Sequence, residues 1–172
     1  GWARQWSKRL PHLPPYRGPV ANETEALVKA IEGNARVKVM TNTTVTKTDG
    51  MPGKFTVAVK QGGSESILTV GAIVLATGWR PYDATKLGHL GYGASPDVVT
   101  SVELERILAA GPAKRKSDGR APKTVAFVQC AGSRDPNHLP YCSSVCCNVS
   151  IKQALQLVQA DPEVSAYIIF DE

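Results

Sequence analysis

Residues 124–170 read TVAFVQCAGSRDPNHLPYCSSVCCNVSIKQALQLVQADPEVSAYIIF, and this stretch decides the fold. The apolar, β-prone run 124–128 predicts a strand, 143–159 has the pattern of a helix, and 164–170 predicts a second strand. A strand, a loop, a helix and a strand over about 50 residues form the opening unit of a nucleotide-binding sheet. The sequence therefore predicts an α/β fold.

All four cysteines of the chain lie in this unit: Cys130, Cys142, Cys146 and Cys147. Cys130 would end the first strand and Cys142 the loop, while the adjacent pair would lie in the first turns of the helix. Exposed amides and the positive dipole end stabilise thiolates at a helix start. Four clustered cysteines are too few for a disulfide scaffold, so they indicate metal or redox chemistry.

Four converging thiolates suit either zinc or an iron-sulfur cluster. Zinc sites with four thiolates usually take their ligands from two short knuckles. Adjacent cysteines fit poorly around one tetrahedral ion, because neighbouring side chains diverge. A cubane cluster is larger and can bind two adjacent thiolates on different irons. A thiol-disulfide pair of Cys142 and Cys146 is a third interpretation, but it lacks the usual two-residue spacing. The spacing favours a cluster and leaves zinc, disulfide chemistry and inert buried thiols open.

The turn after the first strand carries no complete dinucleotide fingerprint. It reads Cys130-Ala131-Gly132-Ser133-Arg134 and continues into a proline-containing insertion. In a dinucleotide-binding unit this turn is glycine-rich, so that the pyrophosphate can approach the start of the helix. A metal site is therefore predicted to replace or block a nicotinamide nucleotide site. Asp171 or Glu172 would be the ribose-binding carboxylate of such a fold, although a plain strand-end carboxylate is the simpler interpretation.

The chain before residue 124 predicts further short elements. Prolines make residues 2–19 a covering loop, and Asn22 is placed as the cap of a helix over 23–32. A small β-meander is predicted from the runs 37–40, 43–46, 54–60 and 66–70, with a hairpin turn at Gly62-Gly63. The continuous apolar run 72–76 is typical of a strand buried on both faces of a parallel sheet. A second helix is expected from Thr100 to near Gly111.

Composition and charge restrict the function. The chain has 42% hydrophobic and 20% charged residues, which is the ordinary range of globular proteins. Its net charge is +5, but no aromatic residues interleave with its densest basic cluster, as they would on a nucleic-acid-binding surface. No apolar run approaches the roughly 20 residues of a membrane span, and the first residues of this sequence lack the basic-then-apolar pattern of a secretory signal. We expect a cytoplasmic protein that binds no nucleic acid. The absence of an initial methionine indicates a piece of a longer protein.

Three motifs carry a family resemblance. Residues 73–81, IVLATGWRP, are similar to the Ala-Thr-Gly motif of flavoproteins with two dinucleotide-binding domains. Residues 125–134, VAFVQCAGSR, and 141–147, YCSSVCC, together resemble the A subunit of heterodisulfide reductase and the related quinone-interacting oxidoreductase subunits. The resemblance covers about residues 70–172, and its cysteine motif is the specific part.

The resemblance implies a thioredoxin-reductase-like flavoprotein with FAD in the full-length parent. In that family, cysteines at the four positions bind a [4Fe-4S] cluster, which passes electrons between FAD and clusters on partner redox subunits. Ala76, Thr77 and Gly78 would turn close to the flavin, and Val45 would lie near its adenosine half unless it is a plain core valine. The first FAD fingerprint is expected upstream of Gly1, so the isolated chain should bind FAD poorly and be inactive.

The family also implies the domain organisation. Residues 1–111 would be the carboxyl part of an FAD-binding domain with its meander, 112–122 a linker, and 123–172 the first unit of a second Rossmann-like domain. Many relatives insert a ferredoxin-like domain where this chain has only a tight turn at 60–65. Two other functions stay open: a zinc-stapled, non-catalytic binding module and an FAD-dependent disulfide reductase using Cys142 and Cys146.

Overall fold

The computed structural model describes residues 1–170 and has a mixed α/β architecture with small sheets. Its strands are β1 (Lys8–Arg9), β2 (Val20–Ala21), β3 (Thr43–Met51), β4 (Lys54–Gln61), β5 (Ser64–Val70), β6 (Thr124–Val128) and β7 (Ser165–Ile169). Its α-helices are α1 (Thr24–Glu32), α2 (Ser101–Ala110) and α3 (Cys146–Ala160), and single 3-10 turns lie at Trp2–Gln5, Ala84–Lys86 and Gly88–Leu90. The mixed α/β class is confirmed.

The chain divides into two compact units. Unit 1 comprises residues 1–22 together with the chain from Trp79 onward, and unit 2 comprises Glu23–Gly78. The division at 112–122 into two parts of a larger flavoprotein stays a prediction. Across the described residues, no helix combines the length and the apolar character that crossing a membrane requires.

Unit 1 contains the strand-helix-strand unit that the sequence predicted. Strands β6 and β7 pair in parallel, and α3 connects them. The helix begins at Cys146, three residues later than predicted, because Ser144 has a φ of +57°, which lies outside the helical region. The unit's core consists of Phe127, Ala154, Leu157 and Val164, with α2 packed against it through Leu104 and Leu108.

A buried ion pair joins α2 to α3. The Lys152 ammonium lies 2.5 Å from Glu105 Oε2, and both side chains are almost fully buried. Gln153 Nε2 donates to the same carboxylate oxygen at 3.1 Å, and the Ser7 amide donates to Oε1 at 3.0 Å. Lys152 Nζ also lies 4.2 Å from the centre of a Trp6 ring. The N-terminal segment is therefore attached to the helix pair by charge, hydrogen bonds and a cation–π contact.

Unit 2 is a three-stranded antiparallel meander, as predicted. The strand order is β3-β4-β5, and Gly62 and Gly63 form the second turn with φ angles of +54° and +95°. Positive φ is the reason that glycine suits this turn. The predicted strand over 37–40 is wrong, because these residues belong to no strand. Asn22 is not the cap of α1, since Glu23 holds that position and the Asn22 amide donates to the carbonyls of Ala3 and Trp6.

The predicted buried strand over 72–76 is also wrong. Residues 72–82 form neither helix nor strand, and the Val74 and Leu75 side chains are 87% and 86% exposed. A strand in the middle of a parallel sheet is stabilised by neighbours on both edges and by helices on both faces. Within the described residues no strand pairs with this run, so its apolar side chains stay in water.

Candidate functional site

The loop between β6 and α3, here called the cysteine loop, carries Cys130 and Cys142. It has two limbs, one that follows Cys130 and one that precedes Cys142, and backbone hydrogen bonds join them. The Arg134 amide donates to the Tyr141 carbonyl at 3.1 Å, and the Leu139 amide donates to the Gly132 carbonyl at 3.2 Å. Across the tip of the loop, the Asp135 amide donates to the Leu139 carbonyl at 3.1 Å. The limb that follows Cys130 therefore runs beside the limb that precedes Cys142.

Tyr82, which is distant in sequence, lies against this loop. Its hydroxyl is 2.6 Å from His138 Nδ1, and the two rings meet edge to face. A Cβ on Gly132 would lie 2.5 Å from Tyr82 Cδ1, which is closer than any carbon contact allows, and the φ of Gly132 is +78°. Glycine is thus required at position 132 both by backbone conformation and by the ring that covers it.

Three of the four sulfurs accept hydrogen bonds from the loop. The Ser144 amide donates to Cys142 Sγ at 3.3 Å, and the Ser143 hydroxyl donates to Cys146 Sγ at 3.7 Å. A guanidinium nitrogen of Arg134 donates to Cys130 Sγ at 3.8 Å. Cys130 and Cys146 are half-buried, Cys142 and Cys147 are exposed, and all four are free thiols. One cationic and two neutral donors of the loop therefore contact three different sulfurs.

The other three thiols lie within electrostatic reach of Cys147. Partial desolvation raises the pKa of the Cys147 thiol, and the nearby thiols of Cys146, Cys130 and Cys142 raise this pKa further. Like charges disfavour ionisation unless a cation is shared among them. In the part of the chain that the structure describes, no three His, Cys, Asp or Glu side chains converge as the cage of a single metal ion. Binding of a cluster by these cysteines stays a prediction.

The residues predicted to lie near a flavin are all in unit 2 and all exposed. Ala76, Thr77 and Gly78 follow the unpaired run, and Gly78 has a φ of +72° with open space where a Cβ would stand. Val45 pairs with Val59 in β3 and is 58% exposed, so the core alternative is not what the structure shows. The predicted role of Asp171 or Glu172 falls outside the described residues.

Sequence reasoning missed three side chains of this site: Tyr82, His138 and Arg134. Tyr82 follows the Ala-Thr-Gly motif by four residues and has no periodicity to mark it. His138 lies in the proline-containing insertion, whose pattern indicates only a connection. The one available signal is Gly132, because an isolated glycine beside a strand end often marks a close approach of other atoms.

The chain is similar to known proteins over much of its length. No protein-family model matches it. It is 42% identical over 116 residues to the A subunit of the H2/formate:CoB-CoM heterodisulfide,ferredoxin reductase of Methanococcus maripaludis, covering 64% of this chain and 18% of the relative. It is 45% identical over 107 residues to the second iron-sulfur A subunit of the CoB–CoM heterodisulfide reductase of Methanopyrus kandleri, covering 59% and 16%.

A third relative is the A subunit of the H2:CoB-CoM heterodisulfide,ferredoxin reductase of Methanothermobacter thermautotrophicus. It is 45% identical over 116 residues, which cover 62% of this chain and 18% of the relative. The chain thus spans less than a fifth of the length of these curated relatives. Over about three fifths of its own length, this chain resembles the A subunits of the heterodisulfide reductases.

Proposed function

We propose that this chain is part of an oxidoreductase subunit of the heterodisulfide-reductase type and holds one [4Fe-4S] cluster on Cys130, Cys142, Cys146 and Cys147. The whole protein, in this proposal, is a cytoplasmic, Rossmann-like flavoprotein that transfers electrons between FAD and iron-sulfur clusters together with other redox subunits. The observation that carries the proposal is that the thiols of Cys146, Cys130 and Cys142 all act electrostatically on the Cys147 thiol at the start of α3. The similarity to reductase subunits supports it.

The donor set fits the cluster. Four cysteine thiolates are the usual ligands of a [4Fe-4S] cluster, which supplies one-electron transfer when bound. The first turn of α3 presents Cys146 and Cys147 together with backbone amides that have no helical partner. In this proposal, Cys130 and Cys142, on the two hydrogen-bonded limbs of the loop, are the remaining two ligands. The chain's own contribution is therefore to collect the ligands at a site with positive potential.

The surrounding donors compensate the charge that such a site accumulates. Thiolate ligands bring negative charge, and hydrogen bonds from outside the ligand set stabilise it and orient the ligands. Arg134, Ser143 and Ser144 donate to three different sulfurs. Their placement on the loop, directly beside the ligands, supports a role for the loop in holding an anionic group.

For the flavin, we propose that Ala76, Thr77 and Gly78 form a close backbone turn in the full-length protein and that Val45 lies near the adenosine half. The positive φ of Gly78 supports a turn that other residues adopt only with strain. The exposure of these residues leaves them accessible to further parts of the longer protein. The remaining FAD contacts would come from those parts.

Cluster binding is tested by purifying the chain without oxygen and reconstituting it with iron and sulfide. We expect about four irons and four sulfides per chain, with visible absorption that bleaches on reduction. Replacing any one of the four cysteines by Ser should lower the iron content or change the paramagnetic signal. Ser165→Ala, at an exposed position of β7, is the control and should leave both unchanged.

The same measurements separate the alternatives. One zinc per chain without visible absorption would indicate a zinc-stapled binding module. A titratable dithiol of Cys142 and Cys146 without iron would indicate disulfide reduction. Iron content that stays the same in all four Cys→Ser variants would contradict the proposed ligands.

A further inference from the structure

Tyr82 contacts the cysteine loop at two places on opposite limbs. Its ring covers Gly132, which follows Cys130 by two residues, and its hydroxyl lies 2.6 Å from His138 Nδ1 on the limb that leads to Cys142. The ring centroids of Tyr82 and His138 are 5.6 Å apart at an interplanar angle of 85°, the edge-to-face arrangement that aromatic pairs prefer. A single side chain from outside the loop thus bridges both limbs.

Backbone hydrogen bonds join the two limbs next to the residues that Tyr82 contacts. Leu139, next to His138, donates its amide to the Gly132 carbonyl at 3.2 Å, and Ser133 and Leu139 form an isolated β-bridge. The Arg134 amide continues the connection to the Tyr141 carbonyl. Tyr82 therefore contacts the loop at the place where backbone hydrogen bonds join its two limbs.

We propose that Tyr82 and His138 are positioning residues that hold the cysteine loop in the conformation needed to bring Cys130 and Cys142 to the start of α3. This inference rests on the proposed function, because it assigns the two residues a role for cluster ligands. Neither residue touches a cysteine in any described contact. They act through Gly132 and the backbone of the loop.

The physical reason is the cost of ordering a loop. Residues 129–145 carry no helix or strand, so their conformation must be fixed by individual contacts against backbone entropy. A site whose ligands are already ordered binds its group more tightly, since less freedom is lost on binding. Half-buried Tyr82 and His138 provide such a contact. Because Tyr82 follows Gly78 by four residues, the support comes from the segment directly after the proposed flavin turn.

The first test uses the metal-free chain and measures hydrogen exchange of the Arg134 and Leu139 amides. Tyr82→Phe removes only the hydroxyl and should speed this exchange roughly two- to tenfold, the effect of one net hydrogen bond. His138→Leu should do the same, and the double variant should add little to either single change. His138→Asn keeps a hydrogen-bonding atom near the Nδ1 position and should restore slow exchange.

The second test uses the reconstituted chain and compares the paramagnetic spectrum of the cluster and the rate of iron loss to a chelator. Tyr82→Phe should alter the spectrum and speed iron loss, and His138→Asn should behave as the unaltered chain does. Tyr167→Phe removes a hydroxyl at a 57% exposed site of β7 and serves as the control.

Unchanged exchange and an unchanged spectrum in Tyr82→Phe would overturn the inference. Faster exchange in a chain that takes up no iron would overturn the cluster while supporting the role of Tyr82 in ordering the loop. Faster exchange with an unaltered spectrum and unaltered iron loss would overturn the role of Tyr82 in positioning the ligands and leave the cluster intact.

Discussion

Arg134 is the one cationic side chain that the described contacts place on a sulfur of the site. It stands at a φ of +57° and directs a guanidinium nitrogen to Cys130 Sγ at 3.8 Å. Cys130 itself has a φ of +57°, so two residues other than glycine adopt the left-handed conformation within five positions. Such conformations persist where surrounding contacts enforce them, and they are concentrated at functional sites.

If the cysteines hold a cluster, Arg134 should raise its reduction potential. Hydrogen bonds and positive charge near the sulfurs stabilise the more negative, reduced state. Arg134→Leu is therefore expected to shift the midpoint potential to a more negative value, and Arg134→Lys, which retains the charge, should shift it less. A redox titration followed by paramagnetic resonance measures both.

The control for this change is Arg36→Leu, at an exposed position of unit 2. It should leave the potential where it is. A potential that does not move in Arg134→Leu would show that the guanidinium does not act on the cluster.

At the scale of elements, the packing of α2 on α3 depends on a buried charge. Glu105 and Lys152 are both near-fully buried, and Ser7 and Gln153 complete the hydrogen bonds of the carboxylate. Removing one partner of a buried pair leaves the other charge uncompensated, which costs roughly 3–5 kcal/mol. The remaining hydrogen bonds of Glu105 place the expected loss near the lower end of this range.

We therefore expect Lys152→Met to lower the free energy of unfolding by about 3 kcal/mol, because Glu105 loses its cation. The double variant Glu105→Gln with Lys152→Met should be closer to the unaltered chain, since no charge is left buried. Urea denaturation measures both, and Lys123→Met at an exposed position is the matched control. A double variant that is as unstable as the single one would contradict this explanation.

The same lysine gives the stability a pH dependence. Desolvation lowers the Lys152 pKa below its usual 10.5, although Glu105 opposes this. Between the lowered value and 10.5 the unfolded chain binds more protons than the folded one, so the contribution of Lys152 to stability rises with pH in that window. Below the window the cost of burying the ammonium is fully present, and the attraction of Glu105, which Lys152→Met removes, offsets part of this cost. The stability of the unaltered chain relative to Lys152→Met should therefore increase as the pH approaches 10.5.

Local patterns predicted the elements that are stabilised by their own neighbours in sequence. The helix after Thr100 was predicted from its cap, and the structure has a complete capping box with Glu103. The meander was predicted from alternation and glycines, and β6 and β7 from short apolar runs. The buried pair of Glu105 and Lys152 was not predictable, because it depends on how two distant helices pack.

At the scale of the whole molecule, the same distinction explains the run 72–76. Its apolar residues suit the buried environment of a central strand in a parallel sheet. Such a strand also needs neighbouring strands to pair with, and a local sequence pattern does not show whether these are present. The patterns of strand, loop and helix predicted that Cys130 follows the strand, that Cys142 lies late in the loop and that Cys146 and Cys147 begin the helix. The contacts of Tyr82 and His138 with their loop were not, since they join segments 56 residues apart.

The exposure of the proposed flavin turn leads to a prediction for the isolated chain. The four residues of the proposed flavin site, Ala76, Thr77, Gly78 and Val45, are all exposed, whereas cofactor sites bury most of their ligand. We expect the chain to bind FAD weakly or not at all in a fluorescence titration. Tight, stoichiometric binding would show that these residues form a larger part of the flavin site than proposed.

The aromatic contacts of the N-terminal segment have a consequence for optical experiments. The chain has three tryptophans, Trp2, Trp6 and Trp79, and the ring centroids of Trp2 and Trp6 lie 5.8 Å and 6.3 Å from that of Trp79. All three belong to unit 1, so intrinsic tryptophan emission reports on that unit alone. Circular dichroism, in contrast, also records the meander of unit 2. Melting curves from the two signals will coincide only if the units unfold together.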